Sequence, residues 1–518
     1  MMTQLALTQL LMLTMIIPIV GALIISRLDK HINVRETVTI VTALLLFIVN
    51  VDIYLSLDFS HAADVAASRF TLAEPIQGLS ITFSATAFGS LFALVASGLW
   101  IATSIYAIGY MRGHNEKFQT RFYVLFAIAI AGVMAVAYSD NLFTLFLFYE
   151  VLTISTYPLV THSGNSDARK GGKKYIFILM GSSILFFLPA MVIVWFVSGT
   201  LTFQEGGILA DNLDLIWAAP LLLLFLFGIS KAGLMPFHKW LPAAMVAPTP
   251  VSALLHAVAV VKAGVFSVMK VVVFIFGTDF ITESGANHWL IWLPLITIVL
   301  ASFIALTKDN LKERLAYSTV SQLSYIILGA LLANEAGILG GTMHIAMHAF
   351  AKISLFFAAG AILVASHKKY VSELAGLGRI MPFTFTVFTI GTLSIIGLPF
   401  FGGMWSKWYL VSGGLSFTGP QATYWGVLIA LTISSLLNIY YLLSIPMTAF
   451  FNNPLPIDSA HSNDDGHELH ASVDSASTGI KEAPIACLIG MAIPTFITIY
   501  LFFDPHVFFR LSSTLANF

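Results

Sequence analysis

Six ionisable side chains stand inside long apolar stretches of this 518-residue sequence: Glu150, Lys231, Lys262, Lys270, Lys352 and Lys407. At the centre of a bilayer each costs about 2.5–3.5 kcal/mol on insertion scales. Six together cost roughly 15–20 kcal/mol gross on that scale, more than the net stability of a typical protein, about 5–15 kcal/mol. Such groups must face a hydrated interior, pair with one another, or sit neutral. Glu150 is the tenth residue of the run 141–162, too deep for a short side chain to reach the interface. Lys270 lies near the end of its run and is expected to snorkel, and Asp52 is close enough to a run end to reach water.

Histidine extends this polar set. His344, His348 and Lys352 recur every four residues and so share one helix stripe. A His-x-x-x-His pair can hold zinc, but Ile345-Ala346-Met347 lacks the glutamate of a metalloprotease helix. Neutral imidazoles beside a lysine suit a proton relay. His256 and Lys262, six residues apart, lie about 120° apart around a helix and are placed to bridge two neighbours.

The elements that must carry these groups follow from composition. The chain is 58% hydrophobic and only 10% charged, against roughly a quarter charged in soluble domains. Disorder is excluded by the hydrophobicity. With 25 Lys and Arg against 26 Asp and Glu there is no basic excess for nucleic acid. The lone Cys487 rules out an internal disulfide, a cysteine zinc site and a cysteine-ligated iron–sulfur cluster, and no cofactor is expected. A polytopic all-α membrane protein remains.

Since about 20 apolar residues cross the hydrocarbon core, the chain reads as fourteen spans, near 4–26, 36–57, 80–111, 121–138, 141–162, 175–199, 213–236, 250–277, 288–307, 315–333, 336–366, 382–412, 422–451 and 483–503. The third is long enough to demand tilt or a segment outside the bilayer. The first lacks the basic start of a signal peptide. Of the 25 Lys and Arg, five lie inside the runs, eighteen fall in loops after odd-numbered runs, and only Arg69 and Arg510 fall on the other side. By the positive-inside rule this alternation supports the count and puts both termini outside.

Two runs are interrupted. Lys231 is followed by Ala232-Gly233-Leu234-Met235-Pro236, and Lys407 follows Gly397-Leu398-Pro399-Phe400-Phe401-Gly402-Gly403. Broken helices are tolerated in a membrane only where they line a cavity or are buried in protein. The two breaks fall in spans 7 and 12, five apart, which points to two inverted five-helix repeats, spans 4–8 and 9–13. The chain then divides into spans 1–3 (1–111), the first repeat (121–277), the second repeat (288–451), an inside loop rich in His and Asp (452–482), and the last span with its tail (483–518). His461, His467 and His470 in that loop fit no tight metal site, and the loop reads as a flexible linker.

Trp240 to Ala257 (WLPAAMVAPTPVSALLHA) resembles the signature of the antiporter-like subunits of Mrp-type Na⁺/H⁺ antiporters, respiratory complex I and membrane-bound hydrogenases. The likeness continues through Lys308 to Gln322 (KDNLKERLAYSTVSQ), the His344/His348/Lys352 stripe and Gly397 to Lys407, covering about residues 80–450. The resemblance implies fourteen helices with two inverted repeats. It also implies a proton path: Glu150 and Lys231 as a switching ion pair, Lys262 at the midpoint, His344, His348 and Lys352 as the connection, and Lys407 as the terminal lysine; His256 joins the path from its place near Lys262. Partners would be other membrane subunits of one complex, protons, Na⁺ and the lipid of a bacterial or archaeal cell membrane.

Within the family the chain resembles a D-type Mrp subunit or a close relative. Neither the lateral helix of the complex I L-type subunit nor the C-terminal extension of the Mrp A subunit is expected here, and a lysine stands at 407 where the complex I M-type subunit carries glutamate. The competing reading is a proton-pumping subunit of a redox complex. Haem ligation by His256, His344 and His348 is a third, which a Soret band would reveal.

Overall fold

The computed structural model describes residues 2–254, 258–453 and 480–516. His256 and nearly all of the His/Asp-rich stretch 452–482 lie outside these described residues.

The chain opens with two helices, α1 (Met2–Ser26) and α2 (Ile32–Leu55), only about a third of whose membrane-length windows is buried. A short helix α3 (His61–Ser68) follows, then an antiparallel hairpin of β1 (Phe70–Ile76) and β2 (Leu79–Phe83). Thr71 faces Thr82 in its register, and Gly78 turns it at φ +83°. This accounts for the over-long third run: its first residues form β2, and α4 (Ala87–Gly113) starts only where Thr86 Oγ1 accepts from the Gly89 amide at 3.1 Å.

Next come α5 (Gln119–Ala137), α6 (Leu142–Val160), α7 (Ser166–Ser198), the short α8 (Leu215–Gly228), α9 (Val260–Phe276), α10 (Asn287–Thr307), α11 (Leu311–Leu331) and α12 (Glu335–Ser366). Asparagine side chains at Asn141, Asn165, Asn310 and Asn334 cap α6, α7, α11 and α12. The chain ends with α13 (Pro382–Ile396), α14 (Gly403–Leu415), α15 (Gln421–Phe451), α16 (Ile485–Phe503) and α17 (His506–Ala516).

Ten helices among the described residues are long and apolar enough to cross a membrane, and eleven if Val260–Phe276 and Thr278–Ser284, bent by 78°, form one span. Fourteen apolar runs therefore do not give fourteen such helices, for local reasons. The run 213–236 yields only the 14 residues of α8 before Gly228, Gly233 (φ +73°) and Pro236 end regular helix. The run 382–412 is cut at Gly397 (φ +91°) into α13 and α14. The run 250–277 is broken and bent, and α11 spends much of its length on Ser, Thr, Gln and Tyr.

The centre of the bundle is α12, 32 residues without a break and 83% buried over its membrane-length window. It packs against α11, α13, α14 and α16. Glycine permits the closest approach: a Cβ on Gly340 would lie 2.6 Å from the Leu410 nitrogen of α14.

Candidate proton path

Lys231 sits on the irregular turn after α8, fully buried. Its Nζ donates to the Tyr149 carbonyl at 2.8 Å and the Thr153 hydroxyl at 2.6 Å, and lies 3.1 Å from the centroid of the Tyr149 ring. The freed backbone of the turn is re-satisfied by side chains. Lys231 N–H donates to Tyr149 Oη at 3.0 Å, Trp240 Nε1 to the Ser230 carbonyl at 2.9 Å, and Met235 N–H to Thr297 Oγ1 at 3.3 Å.

Glu150 is on the next residue of α6, yet it does not touch the lysine. Both carboxylate oxygens are buried without a hydrogen-bond partner among the described residues, and the ion pairs found there include neither Glu150 nor Lys231. The pair expected from the sequence is thus not in contact here. Tyr149 and Thr153, which flank Glu150, hold the ammonium instead.

Helix α9 is clamped onto the Lys231 turn by Gly264. A Cβ there would lie 2.2 Å from the Ala232 nitrogen and 2.4 Å from the Lys231 carbonyl carbon. Two residues earlier, the buried Lys262 points the other way along the path: its Nζ is 2.8 Å from His348 Nδ1 on α12.

From there a line of polar groups runs on through the core. The His348 and His344 rings stack at 5.5 Å and 29°. His344 Nδ1 is 2.8 Å from Ser406 Oγ on α14, and its Nε2 is 3.2 Å from Gln322 Oε1 on α11. The Tyr325 ring stacks on His344 at 5.7 Å, and Lys407 Nζ lies 5.1 Å from the centroid of that same ring. Lys407 Nζ also donates to the Ile396 carbonyl, freed at the break, at 3.1 Å and to Ser435 Oγ at 3.4 Å. Lys352, a turn beyond His348, is buried with no hydrogen-bond partner for its Nζ among the described residues.

The geometry therefore brings Lys262, His348, His344 and Lys407 into one line, with Lys231 one packed turn away and Glu150 and Lys352 beside it. Sequence reasoning missed Tyr149, Thr153, Gln322, Tyr325 and Ser406. All are polar residues within apolar or breaker-rich segments, a signal weaker than charge but present. Lys270 departs from expectation. It does not snorkel: it is 3% exposed, with Nζ 2.5 Å from the Ser139 carbonyl and 4.5 Å from the Phe203 ring centroid. Asp52 is exposed, as its position near a run end suggests. Among the described residues no group of three or more His, Cys, Asp or Glu could hold a metal.

Residues 139–437 match the family described as "NADH:quinone oxidoreductase/Mrp antiporter, TM", and the chain belongs to it. Every residue of the line lies within that stretch. The chain is an antiporter-like, multi-pass membrane subunit of the kind shared by Mrp antiporters, complex I-like enzymes and hydrogenases.

It is 31% identical over 371 residues to the N subunit of the NADH-quinone oxidoreductase of Desulforudis audaxviator, covering 70% of this chain and 71% of that one. It is 30% identical over 458 residues to the A-type component of the Na(+)/H(+) antiporter of Alkalihalophilus pseudofirmus, covering 84% of this chain but 54% of the relative. With hydrogenase-4 component B of Escherichia coli the figures are 31% over 378 residues, 70% and 55%. The chain thus spans only about half the length of the latter two. A chain in the structure of the Mrp complex from Dietzia sp. shares the fold at a TM-score of 0.81 and 22% identity, covering 98% of this chain and 96% of that one.

Proposed function

We propose that this chain is the proton-translocating subunit of a multi-subunit Mrp-type monovalent cation (Na⁺)/proton antiporter, similar to a D-type Mrp subunit. The observation that carries the reading is the Lys262–His348 contact continuing through His344 and Tyr325 to Lys407, a line of titratable groups that is buried as far as Tyr325 and ends on the half-buried Lys407. Glu150 acts as the switch. When its carboxylate approaches Lys231, it holds the lysine's proton; when it withdraws, that proton passes toward Lys262. His256 and Lys352 complete the set.

On this reading the fourteen apolar runs are fourteen spans. Spans 4–8 and 9–13 are inverted repeats, the basic loops face the cytoplasm of a bacterial or archaeal cell, and both termini lie outside. Lys407 and the extent of the match to the Na(+)/H(+) antiporter relative favour the antiporter over the second reading, a proton-pumping subunit of a redox complex. That alternative is kept by the 71% coverage of the NADH-quinone oxidoreductase relative.

The test is pH-gradient dissipation in inverted vesicles carrying the whole complex. The antiporter reading expects a response to added Na⁺ or K⁺. A response to a redox donor alone overturns it in favour of the second reading.

A further inference from the structure

Of the buried lysines among the described residues, Lys231, Lys262, Lys270 and Lys352, only Lys270 has no place in the path. Lys270 stands eight residues after Lys262 on α9, about 12 Å further along the helix at 1.5 Å per residue. Its Nζ is seated on the Ser139 carbonyl. The next residue, Asp140, is 5% exposed and receives Arg69 at 2.6 Å and the Ser84 hydroxyl at 2.7 Å. Arg69 itself is 44% exposed, so this end of the cluster touches water.

One turn beyond Lys270, Phe274 stacks on the His61 ring of α3 at 4.9 Å and 21°. His61 and Asp64, with Phe59, Ala87, Phe88, Phe274, Thr514 and Leu515, enclose a cavity of about 10 Å³, close to the room a single water needs. Asp64 is 3% exposed. Its Oδ1 accepts from the Asp58 amide at 2.8 Å, while its Oδ2 is buried with no hydrogen-bond partner among the described residues. The charged groups around this site are Asp58, Arg69, Asp140 and Lys270, with Arg510 of α17 lying 3.6 Å over the Phe59 ring. Between Lys262 and Lys270 the helix carries Phe266, stacked on Phe88 at 4.4 Å and tilted against Phe92 at 5.1 Å.

We infer that Lys270 is a second protonatable station of the path, at the hairpin end of the bundle, exchanging protons with water through Asp64 and His61 and separated from Lys262 by Phe266. This rests on the proton-translocating reading above. The balance is simple: a proton leaves the Lys270 ammonium for a water or carboxylate oxygen at the Asp64 cavity, and an equal proton returns to the amine from the Lys262 side when the Phe266 ring moves. Burial already pushes the Asp64 carboxyl up to about 6, so it takes and releases protons in mildly acidic water. His61 is pushed down to about 4 by burial and by Lys270, so it gives up a proton readily.

The test uses the assembled complex in inverted vesicles, with the amount of complex measured for each variant. Lys270→Arg keeps the charge and the Ser139 contact but cannot release its proton. Transport is expected to fall by about tenfold or more in Lys270→Arg and to be partly restored in Lys270→His. Phe266→Ala is expected to raise the passive proton leak. Full transport in Lys270→Arg makes the lysine merely structural and overturns the inference. Lys262→Arg separates the two readings. If it also transports at full rate, the path itself is wrong; if it fails while Lys270→Arg works, only the second station is wrong.

Discussion

Lys262 Nζ and His348 Nδ1 face each other at 2.8 Å in a site closed to solvent. Two N–H donors cannot point at one another at that distance, so a single proton sits between them. Either the lysine, as ammonium or as neutral amine, donates to a bare Nδ1, or an N–H on Nδ1 donates to a neutral amine. The contact is thus a two-position proton holder, and moving from one state to the other is one relay step. Replacing His348 with Gln, whose amide does not titrate, is expected to cut transport by about tenfold or more in vesicles. Wild-type rates in His348→Gln would remove it from the path.

Glu150 gives a second prediction. Its carboxylate is buried and unbonded among the described residues, one residue from the tyrosine that holds Lys231. Glu150→Gln keeps the shape and removes the charge, so the approach that would hold the Lys231 proton is lost. Transport should drop with normal assembly of the complex. Undiminished transport would show that the glutamate does not switch the lysine.

The seat of Lys231 can be loosened without removing the lysine. Tyr149→Phe retains the ring beneath Nζ and deletes the oxygen that accepts Lys231 N–H, a loss of about 1 kcal/mol. A small fall in thermal midpoint of the purified protein is expected. No change would mean that another group takes over that N–H.

Gly264→Ala should act more harshly. The added methyl meets backbone at 2.2 Å, and overpacking of this kind costs about 1–3 kcal/mol. The expected readout is a lower midpoint together with reduced transport, because α9 must back away from the Lys231 turn. Normal stability would show that the two segments are not clamped together.

Two groups outside the spans set opposed pH slopes. Asp64, raised from 3.8 to about 6, binds its proton more tightly when folded, so its contribution is fully present below about pH 4 and is lost as pH rises through 6. His61, lowered from 6.5 to about 4, binds its proton less tightly when folded, so its contribution grows as pH rises from 4 to 6.5. Asp64→Asn should therefore leave a thermal midpoint that climbs between pH 4 and 6.5, and His61→Gln one that falls between pH 4 and 6. Parallel pH profiles in both variants would contradict the assignment.

The sequence exposed what carries a strong cost in a membrane. Charge inside apolar runs located Lys231, Lys262 and Lys407, and the i, i+4 spacing placed His344 and His348 on one stripe. The broken segments after Lys231 and before Lys407 followed from Gly and Pro. It could not show where the serines and glutamine of α11 point; in the fold they are buried against protein. Nor could it show that Lys231 would rest on Tyr149 rather than Glu150, since neighbours on α6 differ only by where each side chain points. Lys270 looked able to snorkel by distance along its run, but neighbouring segments wrap around it.

The two end lysines and the two histidines ride on different mechanical parts. Lys231 is carried by a short irregular turn, and Lys407 lies in the helix that restarts just after Gly397–Gly402, whereas His344 and His348 sit on α12, 32 residues of regular helix. Shifting a turn breaks few backbone bonds; bending α12 would break many. A stiff axle is thus flanked by two irregular segments, so a push that reached them would be taken up there while the axle keeps its alignment.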